Sequence, residues 1–336
     1  MDAGLALALA AALAFAFTNG FHDASNAIAT LVATRAATPG QALILAAVFN
    51  MLGPLLLGTA VADTVGGIVT IGHTAAIQVI GAGLLAAVAW NLLTWWRGLP
   101  SSSGHALVGG LVGAGVVVGG LHAIRWGGLH GWRPVGVLGT VVALAISPLL
   151  GALGGGLLIR TLRRATARAT KRLDRVARAG QWVMSAALAF SHGANDAQKS
   201  VGMIAALLLA DGQIARFAPP TWAELACAAA LTLGTALGGW RIMKTVGQGI
   251  YRIHPLEGLS SQTASAGVIF GASLLGAPVS TTHVVASSVV GVGAGRGRWQ
   301  HIHWTVVRDM GIAWLTTIPA TAALAALIVA GWRGLA

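Results

Sequence analysis

Three stretches of this 336-residue chain, residues 41–62, 136–159 and 312–330, contain no charged side chain. Each approaches the ~20 residues that an α-helix needs to cross the hydrocarbon core of a bilayer. A segment in lipid must satisfy every backbone N–H and C=O internally, which leaves helices or closed barrels. The polar–apolar alternation of a membrane barrel is absent. The chain is therefore expected to be an all-α polytopic membrane protein. Further apolar runs at residues 5–18, 64–96, 107–121, 223–240 and 264–290 raise the expectation to about ten to twelve membrane segments. Several are too long, or too interrupted by glycine, for one straight span, so re-entrant or broken helices are expected among them.

Charge then orients the chain. Only 9% of residues are charged, where a soluble domain carries about a quarter. The formal net charge of +12 would suggest nucleic acid in a soluble protein; in a membrane protein it reports topology. Arg160, Arg163, Arg164, Arg168, Lys171, Arg172, Arg175 and Arg178 crowd one segment whose only acid is Asp174. Basic loops stay cytoplasmic, so residues 160–180 are expected as a cytoplasmic linker between a first repeat, 1–159, and a second, 181–336. A lipid-headgroup site is the other reading of these cations. The single cysteine, Cys227, excludes a disulfide within the chain or a thiolate metal cluster. The first apolar run has Asp2 and no basic stretch before it, and is expected as a retained span that starts outside. Tryptophans such as Trp96, Trp126, Trp132, Trp222 and Trp299 lie near the ends of apolar runs, as in interfacial belts.

The two sides of the basic segment repeat each other. NGFHDASNA at residues 19–27 aligns with HGANDAQKS at 192–200, pairing Asp23 with Asp196, Gly20 with Gly193 and Asn26 with Lys199 at an offset of 173. PSSSGHALVGGLVGAG at 100–115 aligns with PVSTTHVVASSVVGVG at 278–293, pairing Ser102 with Ser280, Ser103 with Thr281 and His105 with His283 at an offset of 178. Two ordered motif pairs at nearly constant offset indicate duplication. An odd number of spans per half would invert the second copy in the membrane, an architecture shared by many secondary transporters.

These motifs carry the chemistry. An ionised carboxylate at membrane depth costs several kcal/mol unless it is paired or hydrated. Asp23 and Asp196 interrupt apolar surroundings beside Asn26 and Asn195, a composition suited to a broken helix that holds a cation or shuttles a proton. Residues in a surface loop are the plainer reading, but that does not explain their recurrence. In the second motif pair, Pro followed by Ser or Thr suits a helix start. Free N–H groups, hydroxyls and the positive end of the dipole there suit an oxyanion. Two such starts, one per half, could clamp a tetrahedral anion, although a single copy would be an ordinary cap. His105 and His283 are expected to bond within their own turns or to bind an ion. His301 and His303 make only a weak metal pattern. Asp63, Glu224, Glu257 and Asp309 have no matched partners and are expected near the interfaces.

NGFHDASNAIAT, SHGANDAQKSVG, PSSSGH and PVSTTH closely resemble the paired signatures of the PiT family of inorganic phosphate transporters, and the resemblance covers essentially the whole chain. Gln198 and Lys199 are most similar to the proton-coupled, low-affinity bacterial branch. The resemblance implies phosphate uptake across the plasma membrane, coupled to protons or sodium, sometimes as a metal–phosphate complex and usually in a homodimer. It implies no cofactor and no nucleic-acid partner. Its carboxylate motifs assign the coupling ion to Asp23, Asn26, Asn195 and Asp196. Its hairpin tips assign phosphate to Ser102, Ser103, Ser280, Thr281 and Thr282. Lys199 is expected to pair with Asp196 or attract phosphate, standing where a relative holds a second cation. His22 opposite Asn195, and Gly104 opposite Thr282, imply half-sites that are not equivalent. Another oxyanion such as sulfate is the alternative substrate, since helix starts bind both. An enzyme acting on lipid phosphates would need a nucleophile and base at suitable spacing, which the sequence lacks.

Overall fold

A computed structural model describes residues 3–130, 133–168 and 172–335. Its helices are α1 (Ala3–Ala33), α2 (Pro39–Leu56), α3 (Ala60–Gly66), α4 (His73–Arg97), α5 (Ser103–Gly119) and α6 (Gly136–Ala165) in the first part. They continue as α7 (Arg172–Ala210), α8 (Thr221–Leu237), α9 (Trp240–Lys244), α10 (Pro255–Leu274), α11 (Thr281–Gly295) and α12 (Trp304–Leu335). A π-helical turn, Thr245–Gly249, follows α9. Two short strands, β1 (Leu129–His130) and β2 (Arg133–Pro134), pair antiparallel before α6.

Among the described residues, six helices are long and apolar enough to cross a membrane, or up to seven if α8 and the bent segment after it form one span. This is fewer than the ten to twelve segments expected from apolar runs. Some of the difference comes from fusion: the run at 5–18 and the polar motif after it form one continuous helix, α1. The rest comes from polarity and length: α7 and α10 are long but bury the second Asp motif and a row of Ser and Gln side chains, while α8 and α11 have only 17 and 15 residues. The segment expected as a linker at 160–180 is largely helical too. α6 runs to Ala165 and α7 begins by Arg172; Lys171, like Trp132, lies outside the described residues.

Local chemistry sets the helix starts. Thr38 caps α2 through the Gln41 N–H, and the Gln41 side chain returns to the Thr38 N–H, a reciprocal capping box with Pro39 in the first turn. Ser102 caps α5 by accepting from the His105 N–H at 3.2 Å, and Ser280 caps α11 from the His283 N–H at 3.2 Å. α4 ends where Gly98 takes φ 67°, the left-handed conformation that glycine adopts without steric cost.

The packing exchanges partners between the two parts. α1 packs on α8 and α7 on α2; α5 packs on α12 and α11 on α6. α1 and α7 run antiparallel, since Thr34 meets Gln181 while Ala27 meets Ser185. α4–α5 and α10–α11 form hairpins whose turns meet beside the middle of α1 and α7. Gly20 and Gly193 are required by close approach: a Cβ at either would strike a backbone carbonyl, of Leu231 on α8 and of Asn50 on α2 respectively. In a bilayer, where apolar burial between helices gains little, such small-residue contacts supply much of the association.

Candidate functional site

Neither Asp motif is a helix break. Residues 19–27 lie inside α1 and residues 192–200 inside α7, so the glycines that suggested broken helices serve packing instead. Continuous helices hold Asp23 and Asp196 rigidly at the centre, 2% and 1% exposed.

Three groups converge on each carboxylate. Asp23 Oδ1 accepts from the Thr282 hydroxyl at 2.8 Å and lies 2.6 Å from His22 Nδ1, while Oδ2 accepts from the Ser103 hydroxyl at 2.9 Å. Asp196 Oδ2 accepts from the Thr281 hydroxyl at 3.0 Å, and Oδ1 is ion-paired with Lys199. His192 Nε2 stands 2.9 Å from Asp196 Oδ2, in a close polar contact without hydrogen-bond alignment. Asp23, His192 and Asp196 each present a ligating atom, all within 4.8 Å of one another. The two Asp motifs and the two hairpin turns therefore form one site.

The hydroxyls divide their work. Ser102 and Ser280 serve as helix caps, the plainer of the two expected roles, whereas Ser103, Thr281 and Thr282 reach the carboxylates. Asn26 donates to the Thr282 hydroxyl at 2.8 Å and so reaches Asp23 through it. Its Oδ1 is buried without a protein partner. Asn195 is not drawn to the carboxylates. It donates to Ser273 Oγ at 3.1 Å and to the Ala277 carbonyl at 3.2 Å, bracing the α10–α11 turn. Lys199 donates also to the Val279 carbonyl at 3.1 Å. A Cβ at Gly104 would sit 3.4 Å from the Lys199 nitrogen, so the glycine opposite Thr282 leaves the ammonium its room.

Several supporting residues escaped the sequence reading. His22 and His192 occupy different motif positions yet both reach their own Asp, so the departure at His22 does not deprive either half of an imidazole. Thr94 at 3.1 Å and Ser101 at 3.4 Å flank His22 Nε2, and Asn50 lies 3.0 Å from His192 Nδ1. Both histidines stand inside the repeated motifs; Thr94, Ser101 and Asn50 have no repeated signal. His105 and His283 meet each other, with ring centroids 4.8 Å apart, and His283 lies 3.9 Å from the Trp314 ring. His301 and His303 are exposed, away from the carboxylates. Asp63 and Asp309 are exposed, whereas Glu257, in the first turn of α10, is fully buried and ion-paired with Arg296.

Residues 19–325 match the profile of the Phosphate transporter family. A Rhizobium meliloti protein described as a probable low-affinity inorganic phosphate transporter is 42% identical over 312 residues, covering 92% of this chain and 90% of its own. A Bacillus subtilis protein of the same description is 41% identical over 317 residues, covering 92% and 91%. A solved structure described as the sodium-dependent phosphate transporter superposes with a TM-score of 0.87 over 100% of both chains, at 25% identity. These relatives are named for phosphate, and the sulfate alternative has no support in them. Sequence profile, relatives and fold agree along nearly the whole chain, which belongs to the phosphate transporter family and acts as a multi-span membrane transporter of phosphate, not as an enzyme.

Proposed function

We propose that this transporter carries inorganic phosphate inward with protons, and that Asp23 is the carboxylate whose charge the coupling ion balances. One observation carries this reading. Asp196 has a built-in cation, since Lys199 is buried beside it, and that pair is neutral as a unit. Asp23 has only hydroxyls and an imidazole. A buried charge needs compensation, so balance at Asp23 has to arrive from outside. An ammonium has three donors and no acceptor, so the position of Lys199 offers nothing to a second sodium.

Phosphate is assigned to the space between the starts of α5 and α11. First-turn N–H groups there lack intrahelical partners, and Ser103, Thr281, Thr282 and Lys199 supply hydroxyl and ammonium donors. Asn195 acts in this scheme by holding the α10–α11 turn. Antiparallel α1 and α7 support inverted halves. The arginines gathered where α6 ends and α7 begins support a cytoplasmic basic end, in a plasma-membrane protein that works as a homodimer.

Sodium coupling is the second reading. The free Asn26 Oδ1 beside the Asp23–Thr282 pair favours it, and the solved neighbour is described as sodium-dependent. A divalent cation travelling with phosphate would find ligands in Asp23, His192 and Asp196. Radiolabelled phosphate uptake into proteoliposomes, with pH and sodium gradients imposed separately, decides among them. An inward proton gradient is expected to drive uptake without sodium, and Lys199→Asn is expected to impair it. A requirement for sodium at every pH would exclude proton coupling and leave phosphate transport intact.

A further inference from the structure

At the end of the molecule where α1 and α10 meet the start of α7, a cavity of about 540 Å³ opens between Arg35, Arg178, Arg252, His254 and His303. No carboxylate lines it. Arg178 is fixed by donating to the Arg35 carbonyl at 2.7 Å, and Arg252 forms no ion pair among the described residues. Thr34 and Pro255 are also in its lining. Gln181 joins these two with both ends of its amide: Thr34 donates to its oxygen at 2.9 Å, and its nitrogen donates to the Pro255 carbonyl at 3.2 Å.

Behind Gln181, buried polar side chains continue toward the central site. Gln262 donates to Ser185 at 2.7 Å, and Ser265 to Ser288 at 2.9 Å. Thr30 Oγ1, Gln262 Oε1 and, at the inner end, Asn26 Oδ1 are buried without protein partners. An unpaired buried polar atom costs roughly 1–3 kcal/mol, so a run of them marks surface built to meet water or an ion.

The duplicate gives the control. At the offset of 173, Thr30, Gln181 and Ser185 correspond to Met203, Ala8 and Ala12. At 178, Gln262, Ser265 and Ser288 correspond to Leu84, Ala87 and Gly110. Each of these six polar residues has an apolar or side-chain-free counterpart, and Ala8, Ala12, Leu84, Ala87 and Met203 belong to one buried apolar cluster. Helix packing alone thus does not require the polar set.

We propose that the cationic cavity is a second oxyanion site, a vestibule for phosphate, joined to the central site by this polar seam and closed from it by Gln181. The proposal takes the central site to be the phosphate site and adds the route by which phosphate leaves it. At the vestibule the arginines offer delocalised, multiply donating cations suited to a tetrahedral oxyanion. The counterpart positions are apolar, so opening along them has to part apolar surfaces.

Single-cysteine labelling tests both parts. Cys227→Ala removes the only native thiol, and Gln248→Cys places one on the exposed vestibule wall. Reaction with a membrane-impermeant maleimide from the basic side is compared in inorganic phosphate and in chloride at equal ionic strength. Phosphate is expected to slow labelling severalfold, the protection surviving Asp23→Asn and disappearing with Arg35→Gln plus Arg252→Gln. Absence of protection, or protection lost with Asp23→Asn alone, would overturn the vestibule. For the seam, Ser265→Cys is expected to label from the basic side, faster with Gln181→Ala, while its counterpart Ala87→Cys stays unlabelled. Equal rates at the two positions would overturn the seam. Because labelling needs no turnover, these outcomes are separate from failure of the central assignment, which would show as unchanged phosphate affinity of uptake in Ser103→Ala and Thr281→Ala.

Discussion

Asp23 and Asp196 occupy matching positions in the two motifs, and each faces one imidazole and one hydroxyl from the hairpin turn of its own half. The third partner differs. Asp23 receives the Thr282 hydroxyl from the other half, itself held by Asn26. Asp196 receives Lys199 directly, across the space left by Gly104. Two sequence departures, Lys199 for Asn26 and Gly104 for Thr282, are therefore one physical exchange: a fixed ammonium replaces an amide–hydroxyl pair. The comparison teaches that the two motifs share their acceptors and differ in how the charge on those acceptors is balanced. Asp196 has a side-chain ammonium beside it; Asp23 has an imidazole and two hydroxyls.

The largest expected effect comes from removing the Asp23 charge. Asp23→Asn is expected to abolish phosphate uptake while leaving the melting temperature nearly unchanged, because the amide is close to isosteric and strands no cation. Uptake at the wild-type rate would remove Asp23 from the coupling role. Asp196→Asn is expected to act on stability instead. It leaves Lys199 buried and unpaired, a change costing about 3–5 kcal/mol, and adding Lys199→Met should recover much of that in thermal denaturation. If both Asp variants proved equally stable, the contrast between the half-sites would fail.

A smaller effect is expected at the hydroxyls. Ser103→Ala and Thr281→Ala each remove a donor that phosphate can recruit, and a hydrogen bond to a charged group is worth about 1.5–3 kcal/mol. That corresponds to a roughly tenfold to hundredfold weaker apparent affinity, read from the phosphate dependence of uptake. A lowered maximal rate at unchanged affinity would confine these hydroxyls to the carboxylates. The smallest effect is expected for Gly104→Ala. Its methyl group would meet Lys199 at 3.4 Å, ordinary contact, so denaturation should shift by no more than about 1 kcal/mol, the scale of a Gly-to-Ala propensity difference.

The carboxylates and the hydroxyls of Ser103, Thr281 and Thr282 were legible because they occur twice, and a polar motif kept in both halves of an apolar chain has to serve a shared site. Thr94, Ser101 and Asn50 were not legible: each lies in a different helix or turn from the His it serves, and nothing in the sequence pairs them. The glycine-rich Asp motifs misled in one respect. A glycine that breaks a helix and a glycine that lets two helices touch read identically until the neighbour is known; Leu231 and Asn50 supply that neighbour only in the fold. The ion pair of Glu257 was not legible for the same reason, its Arg296 partner being on another helix end.

The close contacts at Gly20 and Gly193 reach beyond packing. Where one helix rests on the carbonyls of another, no side chain stands between them to change rotamer and absorb a displacement. α1 is braced in this way to α8, and α7 to α2; Gly113 on α5 abuts the Ala322 carbonyl of α12, and Gly291 on α11 that of Ala152 on α6. Each of these four braces joins a helix that precedes the basic segment to a helix that follows it. A rigid displacement of α1, α5, α7 or α11 is therefore expected to take its braced partner with it, like timbers lashed at their intersections. A displacement begun on one side of the basic segment would then be carried mechanically to the other.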